Sequence, residues 1–193
     1  MKIAMLDPSL FTGRYDDGLC AALGAAGHQV SLLARPMRAT DAIESRNYAY
    51  VPRFFARSEG LRGVLGEGRA FRVLKATEYL ASAALGDLSR LRADDVVHVQ
   101  WLPLPVADRR LIARLRAGDK RPVLVHTVHN ASAYHGDSGA QGAGYRALLD
   151  QFDALIVHGQ TTHDAMIAQG VTAEHLHIVP HPPMELASAG EQD

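Results

Sequence analysis

Short apolar runs alternate along the chain with segments whose apolar positions recur every three or four residues. Lys2–Leu6 (KIAML) predicts a first strand, and a loop over Asp7–Arg14 follows it. Leu19, Ala22, Leu23 and Ala26 then predict one face of a helix over Tyr15–Ala26. Gly27 suits the left-handed end of that helix, and His28–Ala34 predicts a second strand. A weak strand at Ala49–Val51 precedes an irregular stretch of arginines and glycines. A helix is expected over Gly66–Leu85, with Phe71, Leu74, Thr77, Glu78 and Ala81 on a shared face. Further strands are expected at Asp95–Val99, Pro122–Thr127, Ala154–Val157 and His175–Val179. Helices are expected at Ala107–Ala117, Tyr145–Asp150 and Thr161–Gln169.

This order predicts an α/β fold: a Rossmann-like, doubly wound, mostly parallel sheet with helices on both faces. One domain is expected over residues 1–183, with a polar tail or the start of a linker at 184–193. Open sheets of this kind bind ligands at the carboxyl ends of their strands, near the switch in strand order.

Charge changes the picture in one place. Lys+Arg total 20 against 21 for Asp+Glu, so no bulk charge draws the chain to nucleic acid. Between Arg35 and Lys75, however, nine basic residues face four acidic ones. Arg69, Arg72 and Lys75 beside Phe71 and Leu74 read either as a solvated basic face or as a membrane-surface contact through the Arg-rich 53–75 region. The lone Cys20 excludes a disulfide framework and a cysteine-based zinc site. Met1–Leu6 runs straight into a strand, without a signal-peptide core, and no apolar run reaches membrane-spanning length. A cytoplasmic protein, peripheral to the inner face of the membrane, is therefore expected.

The densest candidate chemistry lies in VLVHTVHNASAYHGD, residues 123–137. His126 and His129 are three apart, so a strand reaching His129 puts them on opposite faces. His126 reads as a hydrogen-bonded histidine of the sheet. His129 falls at the carboxyl end, where ligands bind. A sharp turn would instead gather His126, His129, His135 and Asp137 as a metal cluster. The Asp7–Arg14 loop has the single glycine Gly13 and no G-x-G-x-x-G, which argues against a dinucleotide cofactor there. Trp101 is placed to pack on a neighbour or to stack on a sugar. The acid pairs Asp16–Asp17 and Asp94–Asp95 read as helix-dipole partners or water-facing residues at element starts.

Five stretches together resemble a known family. They are Ala25-Ala-Gly-His-Gln-Val30, Asp95-Val-Val-His-Val-Gln-Trp101, Val125-His-Thr-Val-His-Asn130, Phe152-Asp-Ala-Leu-Ile-Val-His-Gly159 and Gly170-Val171 through His177-Ile-Val-Pro-His-Pro182. In this order they resemble the N-terminal, acceptor-side domain of GT-B glycosyltransferases of the retaining family 4 type, one half of a GT-B fold. The resemblance implies transfer of a glycosyl unit from a nucleotide sugar, with no metal or other cofactor, in polysaccharide or glycolipid biosynthesis. It implies that His129 contacts the donor sugar as the catalytic-cleft histidine. Substrate-binding roles are implied for Gly13, Arg14 and Tyr15 in the first loop, and for Trp101, Asn130, Tyr134 and His135 around a sugar or lipid-linked acceptor. The family's tandem glycine is absent from the first loop, and Gly159 and Pro182 stand where Ser/Thr and Gly are common. The resemblance also implies a C-terminal donor-binding domain, supplied in cis or in trans, without which the 193 residues are inactive. Two other readings are a non-catalytic saccharide- or nucleotide-binding module and a His/Asp metal hydrolase.

Overall fold

The computed structural model describes residues 1–129 and 139–181, except for the side chains of 139–143. Seven strands form one sheet: β1 (Lys2–Leu6), β2 (Gln29–Ala34), β3 (Ala49–Pro52), β4 (Val96–Val99), β5 (Val123–Thr127), β6 (Ala154–Val157) and β7 (Leu176–Ile178). Their order is β3-β2-β1-β4-β5-β6-β7, and every pairing is parallel. The helices are α1 (Gly13–Ala25), α2 (Ala56–Leu65), α3 (Arg69–Leu85), the single turn α4 (Ser89–Arg92), α5 (Pro105–Arg116), α6 (Gly139–Leu149) and α7 (Gln160–Ala168). The chain winds outward from β1 to β3, then crosses back to β4 on the other side of β1. The loops after β1 and β4 therefore diverge and leave a crevice, the switch point of a doubly wound sheet.

The period of two along each strand divides the core. Ala4, Leu6, Leu33, Val97, Val99, Leu124, Leu155 and Val157 join the cluster containing Tyr79 and Ala83 of α3 and Ile112 and Leu115 of α5. Ile3, Met5, Val30, Leu32 and Ala34 join the cluster on the opposite face with Cys20 of α1.

Three expectations need correction. The stretch after β3 is helical over α2. Among its residues only Ser58 is buried, while Leu61, Val64 and Leu65 stay exposed, so no core-facing periodicity marked it. In α3 the buried positions are Phe71, Tyr79 and Ala83, with Lys75 half-buried between them, whereas Thr77 and Ala81 face outward. The four-residue step follows the contact with α5, where the Tyr79 hydroxyl lies 2.7 Å from Asp108 Oδ1, and Lys75 lies over the Phe55 ring at 4.5 Å. In α1 the fully buried side chains are Asp16 and Cys20, with Ala22 and Ala26 exposed. Gly24 lies on the buried side, because a Cβ there would stand 2.0 Å from the Asn47 carbonyl oxygen. Gly27 does take the left-handed conformation (φ 87°) after α1. Residues 184–193 lie outside the described residues.

Candidate functional site at the carboxyl ends of the central strands

The loop between β1 and α1 is held by two carboxyl groups. Asp7 follows β1, and its Oδ2 accepts the Thr12 backbone N–H at 2.8 Å. The Thr12 hydroxyl lies 3.3 Å from Asp7 Oδ2 and 3.2 Å from Asp16 Oδ2. Both carboxyl groups are fully buried, and burial pushes both pKa values upward. Asp16 rises further because the negative Asp7 stands beside it. Of the two readings of Asp16, the water-facing one is overturned, while its place in the first turn of α1 agrees with the helix-dipole one. Asp17 does not face free water either: its carboxylate accepts from the Ser45 backbone N–H and, at 2.5 Å, from the Tyr48 hydroxyl.

The scaffold so fixed projects Phe11, Gly13, Arg14 and Tyr15 toward the crevice. Phe11 stacks on Trp101 from the loop after β4, with ring centroids 4.3 Å apart and planes 14° from parallel. Trp101 thus packs on a neighbour, and the pair joins the two loops of the switch point. Tyr15 packs 5.4 Å from His129, 5.3 Å from His158 and 5.0 Å from His181. A cavity of about 410 Å3 is lined by Phe11, Gly13, Arg14, Tyr15, His129 and His181, among others. The structure therefore brings Gly13, Arg14, Tyr15 and His129 to one cavity, with Trp101 at its edge. Asn130, Tyr134 and His135 lie outside the described residues.

His126 and His129 take opposite faces. Val128 continues the ladder past β5, its N–H donating to the Ile156 carbonyl at 2.8 Å. His126 turns into the α5–α6 core, with Nδ1 2.8 Å from the Val99 carbonyl oxygen and its ring stacked on Phe152. Burial lowers its pKa to about 4. His129 turns to the α1 side, and its Nε2 lies 3.1 Å from Gln100 Oε1. Its pKa is also pushed down to about 4, chiefly by burial and then by His158 and His181 nearby. Behind it the polar chain continues. Gln100 Nε2 is 3.3 Å from His98 Nε2, which is 2.8 Å from the Thr127 hydroxyl.

The metal-cluster reading loses its core, since His126 and His129 do not converge; His135 and Asp137 lie outside the described residues. Among the described residues no three His, Cys, Asp or Glu side chains are arranged to hold a metal ion. Reading the sequence missed Asp7, Asp16, Gln100, His158 and His181. Gln100 and His158 lie two residues beyond His98 and Ile156, so the period of two along β4 and β6 was the signal that could have placed them on the α1-facing side. The burial of Asp16 had no such signal, because an acid in the first turn of a helix ordinarily faces solvent.

A family described as Glycosyl transferase 4-like domain matches residues 12–182. Solved structures share the fold at low identity. Anabaena Alr3699/HepE, in complex with UDP and glucose, has a TM-score of 0.59 at 16% identity, covering 95% of this chain and 45% of its own. A glycosyltransferase from Rickettsia africae has a TM-score of 0.58 at 8% identity, covering 93% and 42%. UDP-GlcNAc 2-epimerase from Methanocaldococcus jannaschii has a TM-score of 0.53 at 11% identity, covering 93% and 45%. The chain thus spans less than half the length of these structures. No curated protein is matched.

Proposed function

The chain belongs to the glycosyl transferase 4-like domain family, and from that premise we propose that it is the acceptor-side half of a retaining glycosyltransferase. The observation that carries this reading is the shared cavity at the switch point, where His129 meets the Gly13–Tyr15 loop. In the proposed reaction a nucleotide sugar is the donor and no metal ion or other cofactor takes part. A second, C-terminal domain, in cis or in trans, binds the nucleotide diphosphate and closes over this cavity, since sites of this class form between two lobes. His129 hydrogen-bonds the donor sugar and holds it for attack by an acceptor hydroxyl. The stacked Phe11–Trp101 pair, with Arg14 and Tyr15, forms the wall against which the acceptor sugar packs. Asn130, Tyr134 and His135 are assigned to the same acceptor wall by their place in the chain.

We assign the product to polysaccharide or glycolipid biosynthesis on the cytoplasmic face of a membrane, from a basic, apolar surface on α2 and α3. Several cations of the Arg-rich segment are engaged internally: Arg35 with Asp41 at 2.7 Å, Arg38 with Glu59 at 2.6 Å, and Arg62 with Glu67. Arg57, Arg69 and Arg72 remain exposed, beside exposed Leu61, Val64 and Val73. That combination suits an anionic lipid surface, with apolar side chains entering the headgroup layer and guanidinium groups pairing with phosphates. Among the described residues no helix is long and apolar enough to cross a membrane. Vesicles containing phosphatidylglycerol should retain the chain, and Arg69→Glu with Arg72→Glu should release it. Equal retention on neutral phosphatidylcholine vesicles would remove this part of the proposal.

The reaction is tested with the protein isolated at its native length and a panel of radiolabelled nucleotide sugars over a membrane extract. Transfer of label to an acceptor, with the anomeric configuration of the donor kept in the product and EDTA without effect, supports the reading. Inversion of configuration would overturn the retaining part alone.

A further inference from the structure

His129 faces the cavity, yet what it offers a ligand depends on which ring nitrogen carries the proton. The residue that decides this lies behind it. Gln100 is fully buried directly after β4, on the α1-facing side of the sheet. Its side-chain amide has two ends and three neighbours: Met5 Sδ at 3.0 Å, His98 Nε2 at 3.3 Å and His129 Nε2 at 3.1 Å.

The thioether orients the amide. An N–H pointed at Met5 Sδ donates a weak hydrogen bond to sulfur. Turned over, the amide would press its oxygen against that sulfur at 3.0 Å, two lone-pair-bearing atoms with no hydrogen between them. The –NH2 end therefore faces Met5 and His98, and the carbonyl end faces His129. A carbonyl oxygen only accepts, so the bond at 3.1 Å requires a proton on His129 Nε2. In a neutral imidazole that leaves Nδ1 as a bare lone pair.

The neighbouring ring offers no proton either. His158 Nδ1 lies 2.9 Å from the Val179 carbonyl oxygen, so it carries the hydrogen of that ring, and its buried Nε2 has no hydrogen-bond partner among the described residues. The two ring centroids are 5.5 Å apart, with Tyr15 against both. His158 therefore gives no proton to this stretch of wall, and the His129 lone pair suits a hydroxyl donor of a sugar and repels a phosphate or carboxylate.

We propose that Gln100 is a positioning residue that fixes His129 with its proton on Nε2, so that Nδ1 meets the substrate as an acceptor for a sugar hydroxyl. The identity of that hydroxyl-bearing ligand rests on the transferase reading; the tautomer does not. The other charged and titratable groups around the ring are His98 behind Gln100, His158 and His181 beside it, and Tyr15 across from it. Burial holds His98 neutral, with its pKa near 3, so it takes the Gln100 N–H as an acceptor.

The test is long-range 1H–15N correlation spectroscopy of the histidine rings of this chain at pH 7.5. His129 should show a protonated Nε2 and an unprotonated Nδ1. In Gln100→Leu its two nitrogens should move toward the averaged shifts of an exchanging imidazole. In Gln100→Glu the carboxylate should raise the pH at which His129 takes its second proton. A proton on His129 Nδ1 in the unmodified chain overturns the proposal, and so does a Gln100→Leu spectrum identical to it. If the variants fail to fold, the unmodified chain alone decides. Inorganic pyrophosphate should leave both nitrogens unmoved; protonation of His129 on its addition would show an anion site instead. None of these readings uses sugar transfer, so a failure here leaves the transferase reading standing, and the reverse holds too.

Discussion

Strands β4, β5 and β6 carry two unlike faces. Toward α3, α5 and α6 they present Val97, Val99, Leu124, Leu155 and Val157, all nearly or fully buried. Toward α1 their carboxyl halves, and the residues just beyond them, present His98, Gln100, Thr127, His129 and His158. One backbone, read with a period of two, thus supports a stabilising apolar layer on one side and, on the other, the polar layer to which the proposed function assigns recognition. His126 is the exception on the apolar side. It is accommodated because its N–H meets the Val99 carbonyl and its ring lies against Phe152 at 5.1 Å. The lesson is that residue type alone does not separate the two roles, whereas the side of the sheet does.

The contrast is broken most severely on the apolar side. Leu124 is completely buried in β5, and Leu124→Ala should cost about 3 kcal/mol through lost transfer energy and the cavity left behind. Urea denaturation would read this as a lowered midpoint at unchanged slope. On the α1 side, Asp7→Ala leaves the Thr12 N–H without its acceptor and should cost about 2 kcal/mol in the same assay. It should also enlarge the amide-exchange rates of the Asp7–Gly13 loop, which Leu124→Ala should not.

Acid sharpens the comparison next. His98, His126 and His129 have pKa values lowered to about 3, 4 and 4 in the folded chain. The unfolded chain takes up those protons near 6.5, so the stability they allow is fully present above that pH and is lost as pH falls toward 4. Asp108 acts in the opposite sense. Burial raises its pKa to about 8, so acidification between 8 and 4 restores stability. His98→Gln should therefore flatten the loss between pH 7.5 and 5, and Asp108→Asn should steepen it, both read from urea midpoints. The smallest effect is expected at Thr127→Val, which keeps the shape but removes the hydroxyl 2.8 Å from His98, at about 1 kcal/mol. A loss as large as that of Leu124→Ala would mean that the polar chain also carries the fold.

The strand series was legible because apolar runs bounded by turn residues leave little choice, and each of the seven expected strands is present within a few residues. The opposite facing of His126 and His129 was legible too, from their odd spacing. The helix α2 was not, because its apolar residues face outward and so form no stripe toward the core. The faces of α1 and α3 were misjudged for a related reason. Their buried positions include Asp16 and half-buried Lys75, which count as polar in any periodicity although Thr12 and Phe55 accommodate them. The part of the site made by contact across the sheet, Gln100 on His129 and Tyr15 on three histidines, depends on strand order. Strand order is a long-range property that no local pattern encodes.

The central claim is that His129 belongs to a sugar-transfer site, and the most direct measurement is a pair of assays on the protein at its native length. Unmodified protein and His129→Ala would be compared for transfer of labelled sugar from nucleotide sugar to the membrane extract, with urea midpoints alongside. The account predicts a roughly tenfold to hundredfold loss of transfer, as expected for one lost hydrogen bond to the reacting sugar, with about 2 kcal/mol lost in stability because the buried Gln100 carbonyl loses its donor. Equal transfer by both proteins, or conversion of the nucleotide sugar to its epimer without any transfer, would contradict it.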